Sequence, residues 1–288
     1  MFPKAIIKLK KIDINASLAG SSRGYIPWLD YAKIIGIFLM IWGHAAHSSP
    51  GVRLYIWSFH MPLFFIISGM LYKPLTLKET LKKDWRTLAV PYFLLNFVCW
   101  AYLFAVLTVK GLMSITWLTQ TGGAILFGLG YETGHFQPVS TACWFIYALF
   151  LIRIILAVFY RGRQRNLLYL SAFGIAATVF LQRMDIDLWM PLDSALLVLP
   201  FVCAGIAFRS VMTRFAEWGG RWSWAALFAL LALWCWLAAC NGRVDANTCN
   251  PGNSLALYYI VAILGTLLLF RCSQIAYNAL SLNILRGG

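Results

Sequence analysis

Charge is scarce in this chain. Only 12% of its 288 residues are charged, about half the share of an ordinary soluble domain. Acidic residues are scarcer still, with 10 Asp and Glu against 24 Lys and Arg, for a formal charge of +14. A basic groove for nucleic acid needs a solvated domain to carry it, and no stretch here supplies one, so no nucleic-acid partner is expected. Repeats and low-complexity tracts are missing, so nothing marks a second folded domain. The seven Cys show no metal-ligand spacing, and no metal is expected. Residues 1–27 lack the apolar core of a cleavable signal peptide. They read as a basic cytoplasmic tail lying against anionic lipid.

What is abundant is apolar surface. Hydrophobic residues make up 61% of the chain, including 13 Trp and 20 Phe, where a soluble domain holds about 45–50%. Runs near the ~20 residues that cross a bilayer occur at Leu29–His47, Val52–Tyr72, Trp85–Val109 and Thr141–Tyr160. Four more lie at Asn166–Leu181, Pro191–Phe208, Ser223–Cys240 and Ser254–Phe270. These predict an all-α, polytopic transmembrane helical bundle of about eight spans, with residues 28–288 forming one membrane domain. Leu112–Tyr131, loosened by Gly122, Gly123, Gly128 and Gly130, reads as an interfacial or re-entrant segment. With eight spans, 18 of the 24 cations fall on the side of the termini and four on the other. Both termini are therefore expected in the cytoplasm. Cys240 and Cys249 flank the last outer loop and can form a disulfide if that side is oxidising.

Ionisable groups inside a span are costly and mark candidate sites. In the first span Asp30, Lys33, Ile37, Met40, His44 and His47 recur at helical spacing on one face. Ile34, Ile35, Phe38, Ile41 and Trp42 form the opposite, lipid-facing side, and Asp30 can pair with Lys33 one turn on. In the second span Pro62 cannot donate to the Ser58 carbonyl, which predicts a kink beside His60. At about 1.5 Å per residue, His44 lies roughly 22 Å from the inner end of its span. His60 lies about 10 Å from the outer end of the next, so both imidazoles reach the outer third of a core about 30 Å thick. Helix-packing roles bonded to carbonyls are the alternative for both. Arg153 reads equally as a snorkelling side chain or an anion clamp. Trp144 and Tyr147 suit an interfacial aromatic belt, or the lining of a substrate site.

These residues carry a resemblance. Trp28-Leu29-Asp30-Tyr31-Ala32-Lys33, then Gly43-His44, then Ser58-Phe59-His60-Met61-Pro62-Leu63-Phe64-Phe65 and Ser68-Gly69 closely resemble the acyltransferase 3 family. The likeness is strongest to its fucose-4-O-acetylase-like, exopolysaccharide-modifying branch. Weaker echoes follow at Trp85-Arg86, Pro91-Tyr92, Cys143-Trp144-Phe145, Leu199-Pro200-Phe201 and Asn253-Ser254-Leu255.

The resemblance implies an O-acetyltransferase that moves acetyl from acetyl-CoA to a hydroxyl of a sugar, cell-surface glycan or lipid-linked saccharide. Lys33 stands eleven positions before His44, where many members carry Arg. The family usually has ten spans, and this chain stops at Leu285-Arg286-Gly287-Gly288, so a truncated, non-catalytic member stays open. A transporter or flippase of a small or lipid-linked anionic solute is the other alternative. For acyl transfer, His44 is expected as the base or transient acyl carrier, with His60 assisting. Lys33, Arg86 and Arg153 are expected to hold the donor, and Asp30, Ser68 and Trp144 to contact the substrate.

Overall fold

A computed structural model of the chain describes residues 25–286 except 46, 134, 187, 189 and 190. The expected basic tail lies almost wholly outside the described residues. Among those described, secondary structure is helical apart from one isolated antiparallel bridge, Asp245 with Asn250.

Helix α1 spans Trp28–His44; α2, Pro50–Trp57, and α3, His60–Met70, form one membrane-length helix broken at Ser58–Phe59. Pro62 has no N–H for the Ser58 carbonyl, and the chain kinks beside His60 as the sequence predicts. Helix α4, Leu77–Asp84, opens with a capping box in which Thr76 and Glu79 bond each other's backbone N–H. It runs through a π-turn at Trp85–Ala89 into α5, Val90–Val109. Pro91 explains the widened turn: it cannot donate to Thr87, and Val90 N–H reaches back five residues to Trp85.

The remaining helices are α6 Ile115–Phe127, α7 Trp144–Phe159, α8 Gln164–Met184, α9 Leu192–Ala207, α10 Arg209–Glu217, α11 Arg221–Asn241 and α12 Leu255–Arg286. Among the described residues, five helical stretches are long and apolar enough to cross a membrane, or six if α9 and α10, bent by 71°, form one span. That is fewer than the eight expected. Helices α1 and α7 have 17 and 16 residues, about 25 Å of helix against a core of about 30 Å. Helix α6, at 13 residues, is also too short to span, in keeping with its re-entrant reading.

The core centres on α3 and α9, whose buried faces pack most extensively. Close approach there depends on two glycines. A Cβ on Gly69 would collide with the Val202 carbonyl, and one on Gly205 with the Ile66 carbonyl. Small residues at helix crossings are the usual means of packing in lipid, where apolar burial alone does not favour association.

Two expectations need correction. In α1 the buried face is Leu29, Ala32, Gly36 and Gly43, while Ile37 is exposed beside Ile34, Phe38, Ile41 and Trp42. Ile35 packs against the core instead of facing lipid. Glycine and alanine occupy the face that touches α3 because only small side chains admit Leu63 and Phe64 there. Arg271 also sits inside α12 and not in a tail. It is buried and donates to the Ala216 carbonyl at 2.8 Å, tying α12 to the end of α10.

Candidate active site

The kink between α2 and α3 sets the site. His60 is 4% exposed, and its Nδ1 lies 2.9 Å from the Ile56 carbonyl oxygen. A carbonyl only accepts, so Nδ1 carries the proton and Nε2 presents the lone pair. That Nε2 is buried and has no partner among the described residues. An unmet buried acceptor costs about 1–3 kcal/mol, a burden typical of groups kept for function.

His44, at the last turn of α1, is the exposed member of the pair. Its ring centroid is 6.1 Å from that of His60, with the rings near perpendicular at 75°. Trp57 flanks it, 5.5 Å between centroids. The sequence thus located both imidazoles at one depth, and the structure brings them together.

Both histidines line a cavity of about 310 Å³, at the small end of the ~300–1,000 Å³ typical of ligand sites. Trp57, Met61 and Trp144 build its apolar wall, with Trp144 packed on Phe65. Two outlying segments close it: Gly130–Tyr131 with Thr141–Ala142, and Val244–Thr248 between α11 and α12. Asn247 joins them by donating its Nδ2 to the Gly130 carbonyl at 2.7 Å. Gly130 has to be glycine, since a Cβ there would meet the Asn247 amide and Trp144. Ser194 donates to the Asn247 carbonyl at 2.8 Å, anchoring the same loop to α9.

Trp57, Tyr131, Asp245 and Asn247 were not singled out from the sequence. The one usable signal was the polar run Asn241–Ser254, rich in Asn and Asp, between two apolar helices.

The other expected site residues lie elsewhere. Lys33 and Asp30 pair at 2.8 Å, with side chains 37% and 44% exposed, and Tyr25 donates to the second Asp30 oxygen at 2.7 Å. This bond holds the Tyr25 phenol above its ordinary pKa. Asp30 and Lys33 therefore occupy the partly open N-terminal end of α1 and not the cavity wall. Arg153 is matched by Asp84, which is 1% exposed, at 3.1 Å. The contact is a charge pairing without hydrogen-bond alignment, since neither Asp84 oxygen nor Arg153 Nε makes a hydrogen bond among the described residues. Arg86 is exposed and lines a separate groove with Glu79, Lys82 and Lys83. Ser68 is half-buried on α3 and does not line the cavity. Cys240 is an exposed free thiol, so the bridge to Cys249 is not formed.

A family model described as an acyltransferase domain, acyltransferase 3, matches residues 26–287. The chain belongs to the acyltransferase 3 family. The match runs from just before α1 to the end of α12, so it takes in the kinked histidine pair and both capping segments. As a member of the acyltransferase 3 family with several membrane-length apolar helices, the chain is an integral membrane acyltransferase. No curated protein and no solved structure matches it.

Proposed function

We propose that this acyltransferase 3 member transfers acetyl from acetyl-CoA to a hydroxyl of a sugar or cell-surface glycan, the reading that its fucose-4-O-acetylase-like motifs favour. The observation that carries it is the pairing of exposed His44 with buried His60 on the wall of a cavity closed by polar loops. His44 takes the proton from the acceptor hydroxyl as that oxygen attacks the thioester carbonyl. His60 fixes the geometry of the pair, since its bond to Ile56 leaves it one tautomer. The tetrahedral intermediate collapses by expelling the CoA thiolate, which takes up a proton. General base catalysis of this kind contributes about 10²–10⁴-fold in rate. Trp144 and Trp57 belong to the apolar wall that the acceptor would meet.

The donor's phosphates suit the groove of Arg86, Lys82 and Lys83, since clustered cations favour polyanions. Lys33 and Arg153 have carboxylate partners already: Lys33 pairs within α1, and Arg153 ties α7 to α4. In this reading the groove and both termini face the cytoplasm, the side that clustered Lys and Arg favour. The cavity then opens towards the far side, and the acetyl group crosses part of the membrane.

Purified protein with radiolabelled acetyl-CoA and candidate glycans tests this, with wild type beside His44→Ala. Transfer to a glycan that drops by at least about 10²-fold in the variant supports the assignment. Undiminished turnover in a folded His44→Ala protein removes His44 from the mechanism. In oriented vesicles, label found only on cytoplasm-facing acceptors would sink the crossing step.

A further inference from the structure

The side chains that line the cavity differ in charge from the chain as a whole. Lys and Arg outnumber Asp and Glu by 24 to 10 overall, yet no Lys or Arg is among the described residues that line this cavity. Among the described residues its charged lining is one carboxylate, Asp245, beside the two imidazoles. Arg243, next in the same loop, has its guanidinium carbon 5.2 Å from the Trp57 ring centroid, over the aromatic face.

Asp245 is held in place by its neighbours. Its Oδ1 accepts the Asn247 N–H at 3.1 Å, and its backbone exchanges two hydrogen bonds of 2.8 Å with Asn250. The Asn247 clamp on Gly130 and the Ser194 bond then fix the loop to the rest of the bundle. A side-chain oxygen with a backbone partner, in a loop pinned at both sides, presents a preorganised negative charge. Behind the wall, His60 Nε2 and Trp57 Nε1 are a buried acceptor and a buried donor without a partner among the described residues. A hydroxyl can donate to the Asp245 carboxylate, which suits this lining better than a purely accepting phosphate or carboxylate.

We propose that Asp245 selects the acceptor by charge, admitting a neutral or amino-bearing polyol unit and refusing acidic ones. The volume of about 310 Å³ limits the recognised portion to a unit near one sugar ring. This deepens the acetyl-transfer reading and rests on it for the role of the bound polyol.

Binding of three methyl glycosides to the full-length purified protein tests the rule without turnover. The probes are methyl glucoside, methyl glucosaminide and methyl glucuronide, titrated by calorimetry in detergent. The expected order places the glucosaminide at least level with the glucoside, and both about tenfold or more tighter than the glucuronide. Asp245→Asn keeps the oxygen that caps Asn247 and removes the charge. It is expected to weaken the glucosaminide about tenfold, leave the glucoside within about threefold, and tighten the glucuronide. Asp245→Glu is expected to restore the wild-type order. A glucuronide bound as tightly as the glucoside overturns the proposal, as does an equal change in all three for Asp245→Asn, or no binding of any probe. Loss of the acetyl-transfer reading would show separately, as polyol binding in the expected order with no acetyl transferred.

Discussion

His60 Nδ1 lies 2.9 Å from the Ile56 carbonyl oxygen, four residues back in the chain and across a break in the helix. That bond is possible because the α2–α3 kink turns the imidazole onto a carbonyl at the end of α2. It leaves Nε2 as the bare, buried nitrogen beside His44. A substitution at Pro62 or at either histidine therefore acts on the same arrangement.

His60→Phe keeps the ring volume in a site that is 4% exposed and removes both nitrogens. Transfer is expected to fall by about 10²-fold or more, while the melting temperature in detergent stays within a few degrees. A variant that melts normally and transfers acetyl at the wild-type rate would show that His60 is only a packing residue.

Arg153→Ala leaves Asp84, 1% exposed, without its cation. Loss of one partner of a buried pair costs about 3–5 kcal/mol, so thermal denaturation should move sharply downward. The double change Arg153→Met with Asp84→Leu replaces the pair by apolar groups and is expected to recover most of that loss. An acetyl-CoA KM unchanged in the double variant fits a structural pair; a large rise would return Arg153 to the donor site.

Gly69→Ala and Gly205→Ala each force a methyl group into backbone of the facing helix. Each is expected to destabilise the protein by about 1–3 kcal/mol through overpacking. Gly51→Ala meets nothing within 4 Å and is the control, with little change in melting temperature. Equal stability of all three variants would mean that α3 and α9 do not meet as closely as described.

Lys82→Glu together with Arg86→Glu reverses the charge of the groove that includes Lys83. The acetyl-CoA KM is expected to rise about tenfold or more, with a steeper dependence on salt in the wild type than in the variant. Acceptor affinity should be unaffected, because neither residue lines the histidine cavity. A KM that stays constant for the donor excludes this groove from donor binding.

The sequence by itself determined the class: only helices and closed barrels satisfy backbone polar groups in lipid, and apolar runs of about 20 residues fit helices and not barrel strands. It also determined the histidine pair, because helical rise and the Pro62 kink place His44 and His60 at one depth wherever their helices pack as neighbours. The Asp30–Lys33 pairing was equally legible, being a contact within one helical turn. Only the tertiary structure decided what faces the imidazoles. Asp245, Asn247 and Tyr131 come from segments distant in the chain, and local periodicity carries no information about which loops meet. The same holds for Arg153: its partner Asp84 lies on another helix, so a cation that read as a snorkelling side chain or anion clamp became half of a buried pair. Lengths shifted too, because hydropathy registers apolar character but not where a helix ends. Thus α1 and α7 stop short of a full span while α12 continues past Phe270 through a buried Arg271.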